Sequence, residues 1–386
     1  MTRIECPGLD GSNPLHFLAS LGVLRILSIA DSSTGMLWKN QGSSLMPCFE
    51  RDANWDLLGA TEELTKWLCL LGKVAVASPQ DQKQASSLSA KVKKLDNDIK
   101  DAVKRQKSEW KVTRPSLKGR DFNGAIHEKF KDEEAKLTSL RQELSIAQFK
   151  VGDALGSGVA HLGDIIGISS SLFRSKAEMA AKLDVVGAGV RKPRVDDPQL
   201  VTAMIAALGC DLIEEEGKVV PTPFSFANGS SGQCLLKAFR EAADRVTQEA
   251  TLGCLQGQPV YSREISSLGW DPSDQGSYAM QWTSPEESNK KGNKDVDPSL
   301  QVLGYLGLSF LPALPIANEL VAVGFVPGRG KGFIWPLWDC PLRSDVIASL
   351  LSSDLNRHQP GVVDLRKSLV QNPNGKRNFF APSRSL

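Results

Sequence analysis

The stretch "PGLDGSNPLHFLASLGVLRIL", residues 7–27, decides how the fold begins. Its glycine turn leads into Asn13 and Pro14, a capping side chain followed by proline at the first helical position, which is a strong helix start. Ala19 and Gly22 are small enough to let a neighbouring element approach closely. The stretch therefore predicts a turn and a buried helix, whose apolar face consists of Leu15, Leu18, Leu21, Leu24 and Ile26.

A secretory signal is the alternative interpretation of an apolar segment at this place. The residues argue against it, because Arg3 is the only leading basic residue, Arg25 interrupts the apolar run and no small-residue cleavage site follows. No apolar run reaches the roughly 20 residues of a membrane span. We expect the protein to lie in the reducing cytoplasm and to make no membrane contact. Neither a disulfide framework nor a zinc knuckle is expected, because no Cys-x-x-Cys occurs. The cysteines are Cys6, Cys48, Cys69, Cys210, Cys234, Cys254 and Cys340.

The whole chain predicts an α+β protein that is predominantly helical, with small sheets in its N- and C-terminal parts. We expect a strand over residues 3–6, a hairpin of strands 36–39 and 47–50, and helices over 55–71, 197–212, 232–248 and 344–355. Composition divides the chain into a strand–helix–hairpin region (1–78), a basic helical hairpin insertion (79–150), a helical region (151–255) and a Trp/Pro/Gly-rich region (256–386) with a mobile tail from residue 372.

Residues 81–150 carry 17 Lys/Arg against 11 Asp/Glu, whereas the whole chain has a net charge of only +2. Two apolar stripes with alternating steps of four and three, separated by a break over residues 115–124, predict an antiparallel helical hairpin. Its surplus of cations is either a solvated charged face or a surface that contacts nucleic acid. The stripes are Leu88, Val92, Leu95, Ile99 and Ala102, then Ile126, Phe130, Glu133, Leu137, Leu140, Leu144 and Ala147.

Catalytic motifs are sparse. The chain has no phosphate-cradling Gly-x-x-x-x-Gly-Lys-Ser/Thr, no complete dinucleotide fingerprint and no Gly-x-Ser-x-Gly elbow. His161 and Asp164 lie one helical turn apart and could share a metal, although a structural histidine is the ordinary interpretation of such a pair. We therefore expect no cofactor and no enzyme, and keep a metal-dependent nuclease as a second alternative.

Basic loops offer binding chemistry instead. In "PGRGKGF", residues 327–333, three glycines alternate with Arg329 and Lys331, so backbone N–H groups and two cations could meet an anion. The ordinary interpretation is a plain hairpin tip. A second basic loop, "VRKPR", carries Arg191, Lys192 and Arg194, and proline keeps it out of a helix.

Five motifs in sequence order resemble the large-subunit-like and accessory proteins of type I CRISPR systems, subtype I-G (formerly I-U). They are "NPLHFLASLGVLRIL", "TPFSFANGSSGQCLLKAF", "LGWDPSDQGSYAMQW", "LGLSFLPALPI" and "GFIWPLWDCPLRSDVIASLL". The resemblance covers residues 1–78 and 150–353, and the basic hairpin has no counterpart. Because the chain is short for a full large subunit, a nuclease-extension-like protein stays open. The resemblance implies that the opening stretch is structural and that Trp335 and Trp338 pack in the core, base stacking being the alternative.

The resemblance implies a non-catalytic subunit of a type I CRISPR interference complex. Such a subunit would contact target DNA next to the guide RNA, join the other subunits of the complex and dock the helicase-nuclease. A protein-binding adaptor of that nuclease, without DNA contact, is the first alternative. From charge and glycine context, the candidate nucleic-acid contacts are Arg329, Lys331, Arg191, Lys192, Arg194, and on the hairpin Lys91, Lys93, Lys94, Lys104, Arg105 and Lys107.

Overall fold

The computed structural model combines helices with small antiparallel sheets, as the α+β prediction requires. It describes residues 2–42, 44–52, 54–72, 79–113, 119–153, 198–215, 218–226, 235–262, 265, 267–272, 296–317, 319–328, 330–353, 360–372 and 378–386.

The described helices are α1 (Pro14–Ala30), α2 (Leu57–Gly72), α3 (Pro79–Thr113), α4 (Gly119–Lys129), α5 (Lys131–Asp153), α6 (Pro198–Leu208), α7 (Leu235–Ala243), α8 (Gln248–Gln256), α9 (Pro298–Gly307) and α10 (Ser344–Ser352). The described strands are β1 (Thr2–Glu5), β2 (Gly35–Gln41), β3 (Ser44–Arg51), β4 (Gly209–Glu215), β5 (Lys218–Pro221), β6 (Ala313–Ile316), β7 (Glu319–Ala322), β8 (Phe325–Val326), β9 (Gly332–Trp338), β10 (Leu342–Arg343), β11 (Val362–Gln371), β12 (Phe379–Phe380) and β13 (Arg384–Ser385).

Two of the sheets frame the core. The first has the strand order β1-β3-β2-β10, so a strand from the C-terminal third completes the sheet of the N-terminal hairpin. The second has the order β12-β11-β9-β8, with β13 also paired to β11. A single cluster of buried residues extends from Ile4 to Phe380 and includes residues from both sheets and from α1. The predicted division of the chain into four regions stays a prediction, but the first and last of these regions share this core.

The opening stretch folds as predicted. The Asn13 side chain accepts hydrogen bonds from the backbone N–H groups of Leu15 (2.9 Å) and His16 (3.4 Å), and Pro14 is the first residue of α1. Asp10 stabilises the turn before α1, because its Oδ1 accepts hydrogen bonds from the backbone N–H groups of Ser12 and Leu45. A Cβ on Gly8 would lie 2.0 Å from the Cys254 carbonyl oxygen, so only glycine fits there. The stretch is therefore structural.

The buried helix α1 packs closely on α9. A Cβ added to Gly22 would lie 2.0 Å from the Leu303 carbonyl oxygen, and one added to Gly307 would lie 2.0 Å from the Leu18 carbonyl oxygen. The two backbones can approach this closely only because each helix presents glycine at the contact. The prediction of a close neighbour at Gly22 is confirmed, and that neighbour is a helix from almost 300 residues further along the chain.

The tryptophans that the structure describes in the last third are core residues, as the packing prediction required. Trp270, Trp335 and Trp338 are fully buried. Each indole N–H donates to a backbone carbonyl: Trp270 to Phe224 at 2.9 Å, Trp335 to Gly11 at 2.8 Å and Trp338 to Met36 at 2.7 Å. Two of these bonds connect the second sheet to the N-terminal turn and hairpin, and none of the three rings is available to stack on a base.

Helices α3, α4 and α5 contact one another through apolar clusters of their own. Leu88 and Leu144 form one small cluster, while Trp110, Ile126 and Phe130 form another. All of these residues except Trp110 come from the two predicted stripes, although α4 begins at Gly119, inside the predicted break. Glu133, the polar member of the second stripe, is exposed. We refer to α3, α4 and α5 together as the α3–α5 unit.

Three local predictions differ from the structure. The helix expected over 197–212 ends at Leu208, because Gly209 begins a strand that pairs with β5. The helix expected over 232–248 is divided: α7 ends at Ala243, and the Thr247 side chain caps α8. The tail was expected to be mobile, yet its residues 378–386 contain two strands that pair with β11, and Phe380 is fully buried.

Candidate nucleic-acid interface

The predicted glycine loop is the turn that joins β8 to β9. These strands pair antiparallel, with Val326 opposite Gly332. Gly328 and Gly330 adopt positive φ angles of 77° and 78°, a backbone conformation that favours glycine. The N–H of Lys331 donates to the carbonyl oxygen of Gly328 at 3.1 Å and closes the turn. The glycines therefore shape a tight hairpin tip, as the ordinary interpretation of the motif required.

Lys331 lies at the base of this tip, with its side chain exposed. Its ammonium group is 5.6 Å from the centre of the Phe325 ring, within the range of a cation–π contact. Its carbonyl oxygen accepts a hydrogen bond from the N–H of Val370 at 2.9 Å, which ties the tip to β11. The Lys331 backbone is thus held by the turn through its N–H and by β11 through its carbonyl oxygen.

Two further cations lie beside the tip. A Cβ added to Gly330 would be 3.9 Å from the ammonium nitrogen of Lys367, so this side chain reaches the turn from β11. Arg384 lies directly opposite Lys367 in the β11–β13 pair and is exposed. Directly opposite residues of an antiparallel pair point to the same face of the sheet. We call Lys331, Lys367 and Arg384 the tip patch.

The tip patch carries uncompensated positive charge. Within the described part of the chain, none of its three side chains forms an ion pair with a carboxylate. Arg366, next to Lys367 but on the other face of β11, is by contrast paired with Asp364. Like charges directly opposite each other in a sheet are destabilising, and a bound phosphate would remove that repulsion. The patch is therefore suited to bind an anion.

The structure places seven of the eleven predicted contact residues. Lys331 belongs to the tip patch, whereas Arg329, Arg191, Lys192 and Arg194 lie outside the described residues. The six hairpin candidates are all on α3, where Lys107 is half-buried and the other five, Lys91, Lys93, Lys94, Lys104 and Arg105, are exposed. His161 and Asp164, on which the nuclease alternative depends, also lie outside the described residues.

Sequence reasoning missed Lys367 and Arg384. Lys367 lies in "VVDLRKSLVQ", residues 362–371, whose alternation could have predicted a strand with Arg366 and Lys367 on opposite faces. Arg384 was passed over because the tail was expected to be mobile. Neither feature of the sequence predicts that these two residues lie near the turn of Lys331, because that proximity depends on pairing between strands far apart in the sequence.

The titratable groups of the core are tuned by burial. Burial lowers the pKa of His16, although Asp271 and Asp10 oppose this shift, and its Nδ1 accepts from the N–H of Asp10 at 3.1 Å. Burial also raises the thiol pKa of Cys6 and Cys254 well above the ordinary value, so both stay protonated.

Within the described residues, no group of three or more His, Cys, Asp and Glu side chains is arranged to hold a metal ion.

The described helices include none with the length and apolar character that a bilayer crossing demands. A scan against models of protein families found no match to this chain, and a search of curated proteins found none either.

Proposed function

We propose that this chain is a non-catalytic subunit of a type I CRISPR interference complex of subtype I-G. In this role it contacts the sugar–phosphate backbone of target DNA next to the guide RNA, joins other subunits of the complex and docks the helicase-nuclease. The observation that supports DNA contact is the tip patch, where Lys367 reaches the turn that carries Lys331 and Arg384 lies opposite Lys367, without a described counter-ion. The five motifs that resemble this family support the assignment to a complex.

The chemistry of the tip patch fits a backbone contact better than base recognition. Lys331 and Lys367 present point charges, which attract phosphate without reading sequence. The tryptophans nearest the patch in sequence are buried with satisfied N–H groups and supply no stacking platform. In a guide-directed complex such sequence-independent contacts suffice, because base pairing with the guide reads the sequence.

We also propose that the α3–α5 unit is an antiparallel helical hairpin inserted between the first 78 residues and the helical region that follows. The arrangement of its clusters supports this: Leu88, early in α3, contacts Leu144, late in α5, while Trp110, late in α3, contacts Phe130. The unit would then be an arm whose outer faces are available to a partner.

Duplex binding by the full chain tests DNA contact. We expect a short DNA duplex to bind with an affinity that falls steeply as salt rises, because phosphate contacts release counter-ions. The K331Q/K367Q variant should weaken binding at low salt and reduce the salt slope by about 2, since each phosphate contact contributes about 0.9. The matched control is K39Q/K66Q, which removes two exposed lysines outside the patch. Equal effects of the two variants would contradict a role for the tip patch.

The adaptor alternative is favoured by one observation, the exposed apolar side chains of β6. Leu314 is 48% and Ile316 57% exposed, and such side chains suit a protein partner better than a polyanion. An adaptor would capture the helicase-nuclease from a purified mixture in a manner insensitive to salt, and would not shift a duplex. Salt-sensitive duplex binding that depends on the tip patch would exclude an adaptor without DNA contact.

A further inference from the structure

The exposed residues of α3 are divided by charge around the helix axis. Leu88, Ile99 and Trp110 are buried and define the inward face. Because an α-helix turns about 100° per residue, positions separated by three, four or seven residues share a side. Applied to the charged residues, this rule separates a cationic flank from a flank of balanced charge.

One flank, which we call the lysine flank, follows steps of seven, four and three residues. Its exposed members are Lys93, Lys100 and Lys104, and the half-buried Lys107 continues it. The other, which we call the mixed flank, contains three basic and three acidic residues, namely Lys91, Lys94, Asp98, Asp101, Arg105 and Glu109. The six hairpin residues predicted from sequence as contacts are therefore divided equally between a cationic side and a side of balanced charge.

The lysine flank is only partly neutralised. Lys100 forms an ion pair with Asp96 at 2.6 Å, one turn earlier on the helix. Lys93, Lys104 and Lys107 form no ion pair with any carboxylate that the structure describes. Neighbouring lysines on this flank are separated by one or two turns, a distance comparable to the Debye length of about 8 Å, so their charges repel one another.

Solubility does not require that one flank of the helix carries an excess of lysines. Opposite charges at four-residue spacing stabilise a helix, and the mixed flank has two such spacings, Lys94 with Asp98 and Asp101 with Arg105. On the lysine flank the acid at such spacing is Asp96, which pairs with Lys100, so Lys93, Lys104 and Lys107 are left without a described carboxylate partner. A row of cations on one side of a helix is the arrangement that a linear polyanion complements.

We infer that the lysine flank of α3 binds the sugar–phosphate backbone of a nucleic-acid duplex, and that the mixed flank does not. From Lys93 to Lys107 the helix rises about 21 Å, at about 1.5 Å per residue. One strand of a duplex presents about six phosphates over that length, at about 3.4 Å along the axis. The flank makes backbone contacts without base readout. That the duplex is target DNA rests on the proposed function, whereas binding itself does not.

Two triple variants of the full chain test the inference on one helix. K93Q/K104Q/K107Q removes three cations from the lysine flank, and K91Q/K94Q/R105Q removes three from the mixed flank, so the change in net charge is identical. Glutamine keeps a helix propensity close to that of lysine and arginine, and circular dichroism checks that α3 stays folded. The probe is a fluorescent DNA duplex of about 20 base pairs, titrated from 50 to 300 mM salt and followed by anisotropy.

We expect the lysine-flank variant to lose at least tenfold in affinity at the lowest salt and about 2.7 from the salt slope, at about 0.9 per contact. The mixed-flank variant should change affinity less than threefold. Equal losses would mean that only net charge matters and would overturn the inference. An unchanged lysine-flank variant would overturn it as well.

The K331Q/K367Q variant, measured in the same titration, separates this inference from the proposed function. If the tip-patch variant weakens binding and the lysine-flank variant does not, the inference fails and DNA contact through the tip patch stands. If only the lysine-flank variant weakens binding, the inference holds and the tip patch loses its proposed role. A wild-type chain that does not bind the duplex contradicts both.

Discussion

The core and the α3–α5 unit use helices in opposite ways. In the core, α1 and α9 approach so closely that Gly22 and Gly307 have no room for a methyl group, and both glycines are buried. In the α3–α5 unit, small clusters around Leu88 and Trp110 hold the helices together, while most of the surface is charged. The chain thus places the packing that stabilises the fold and the surface charge in different regions.

The largest effect should come from filling the α1–α9 contact. Gly22→Ala or Gly307→Ala places a Cβ about 2 Å from a backbone oxygen, so the helices must separate, and we expect a loss of about 4 kcal/mol or more, or failure to fold. Chemical denaturation followed by tryptophan fluorescence measures it. Gly124→Ala in α4 is the matched control, because nothing lies within 4 Å of its Cβ position. A stable Gly307→Ala variant with an unchanged transition would show that the contact is loose.

A smaller effect on the free energy of unfolding, confined to acid pH, should come from titration of Asp297, the N-cap of α9. Burial raises the pKa of its carboxyl to about 6 from an ordinary 3.8. The folded state therefore binds the proton of this carboxyl more tightly than the unfolded state does. The contribution of this proton to the free energy of unfolding falls as pH rises from about 4 to 6, by about 3 kcal/mol in total. Asp297→Asn keeps a cap oxygen for the N–H of Leu300 and removes the charge.

We expect the stability difference between Asp297→Asn and the wild type to change across pH 4–6 and to be constant above about pH 7. At neutral pH the variant should be the more stable protein, because it no longer buries a carboxylate. Denaturation midpoints measured at several pH values give this difference. A difference that does not vary with pH would mean that the carboxyl titrates normally in the folded core.

The smallest effect on the core should come from Trp110→Ala. Trp110 packs with Ile126 and Phe130 in a cluster separate from the core, and its ring meets Phe122 edge-on at 6.2 Å between centroids. The variant should lose helical signal from the α3–α5 unit and change the free energy of unfolding of the core by less than about 0.5 kcal/mol. Amide hydrogen exchange resolves the two regions. Destabilisation of α1 or α9 in this variant would show that the unit and the core unfold together.

The candidate site was predicted only in part. "PGRGKGF" drew attention to Lys331 because glycine and cations alternate there, and that local pattern is readable from any sequence. Lys367 and Arg384 were not predicted. The residues next to a strand lysine or a tail arginine in the sequence do not indicate whether its side chain faces a loop or solvent. Similarly, the stripes of the α3–α5 unit predicted its helices, but the helix expected over 197–212 failed because Gly209 pairs into a sheet whose partner strand the local pattern does not reveal.

Local signals in the sequence determined where α1 starts, which residues of α1 and the α3–α5 unit face inward, and where small residues permit a close contact. Each depends on spacing along one helix or on a cap next to it, and both are properties of neighbouring residues. Only the tertiary structure decided that α9 fills the space at Gly22, that β10 completes the N-terminal sheet and that Lys367, with Arg384 opposite it, reaches the turn that carries Lys331. Those outcomes depend on the register between distant strands and helices, which is set when both faces of each element are packed together.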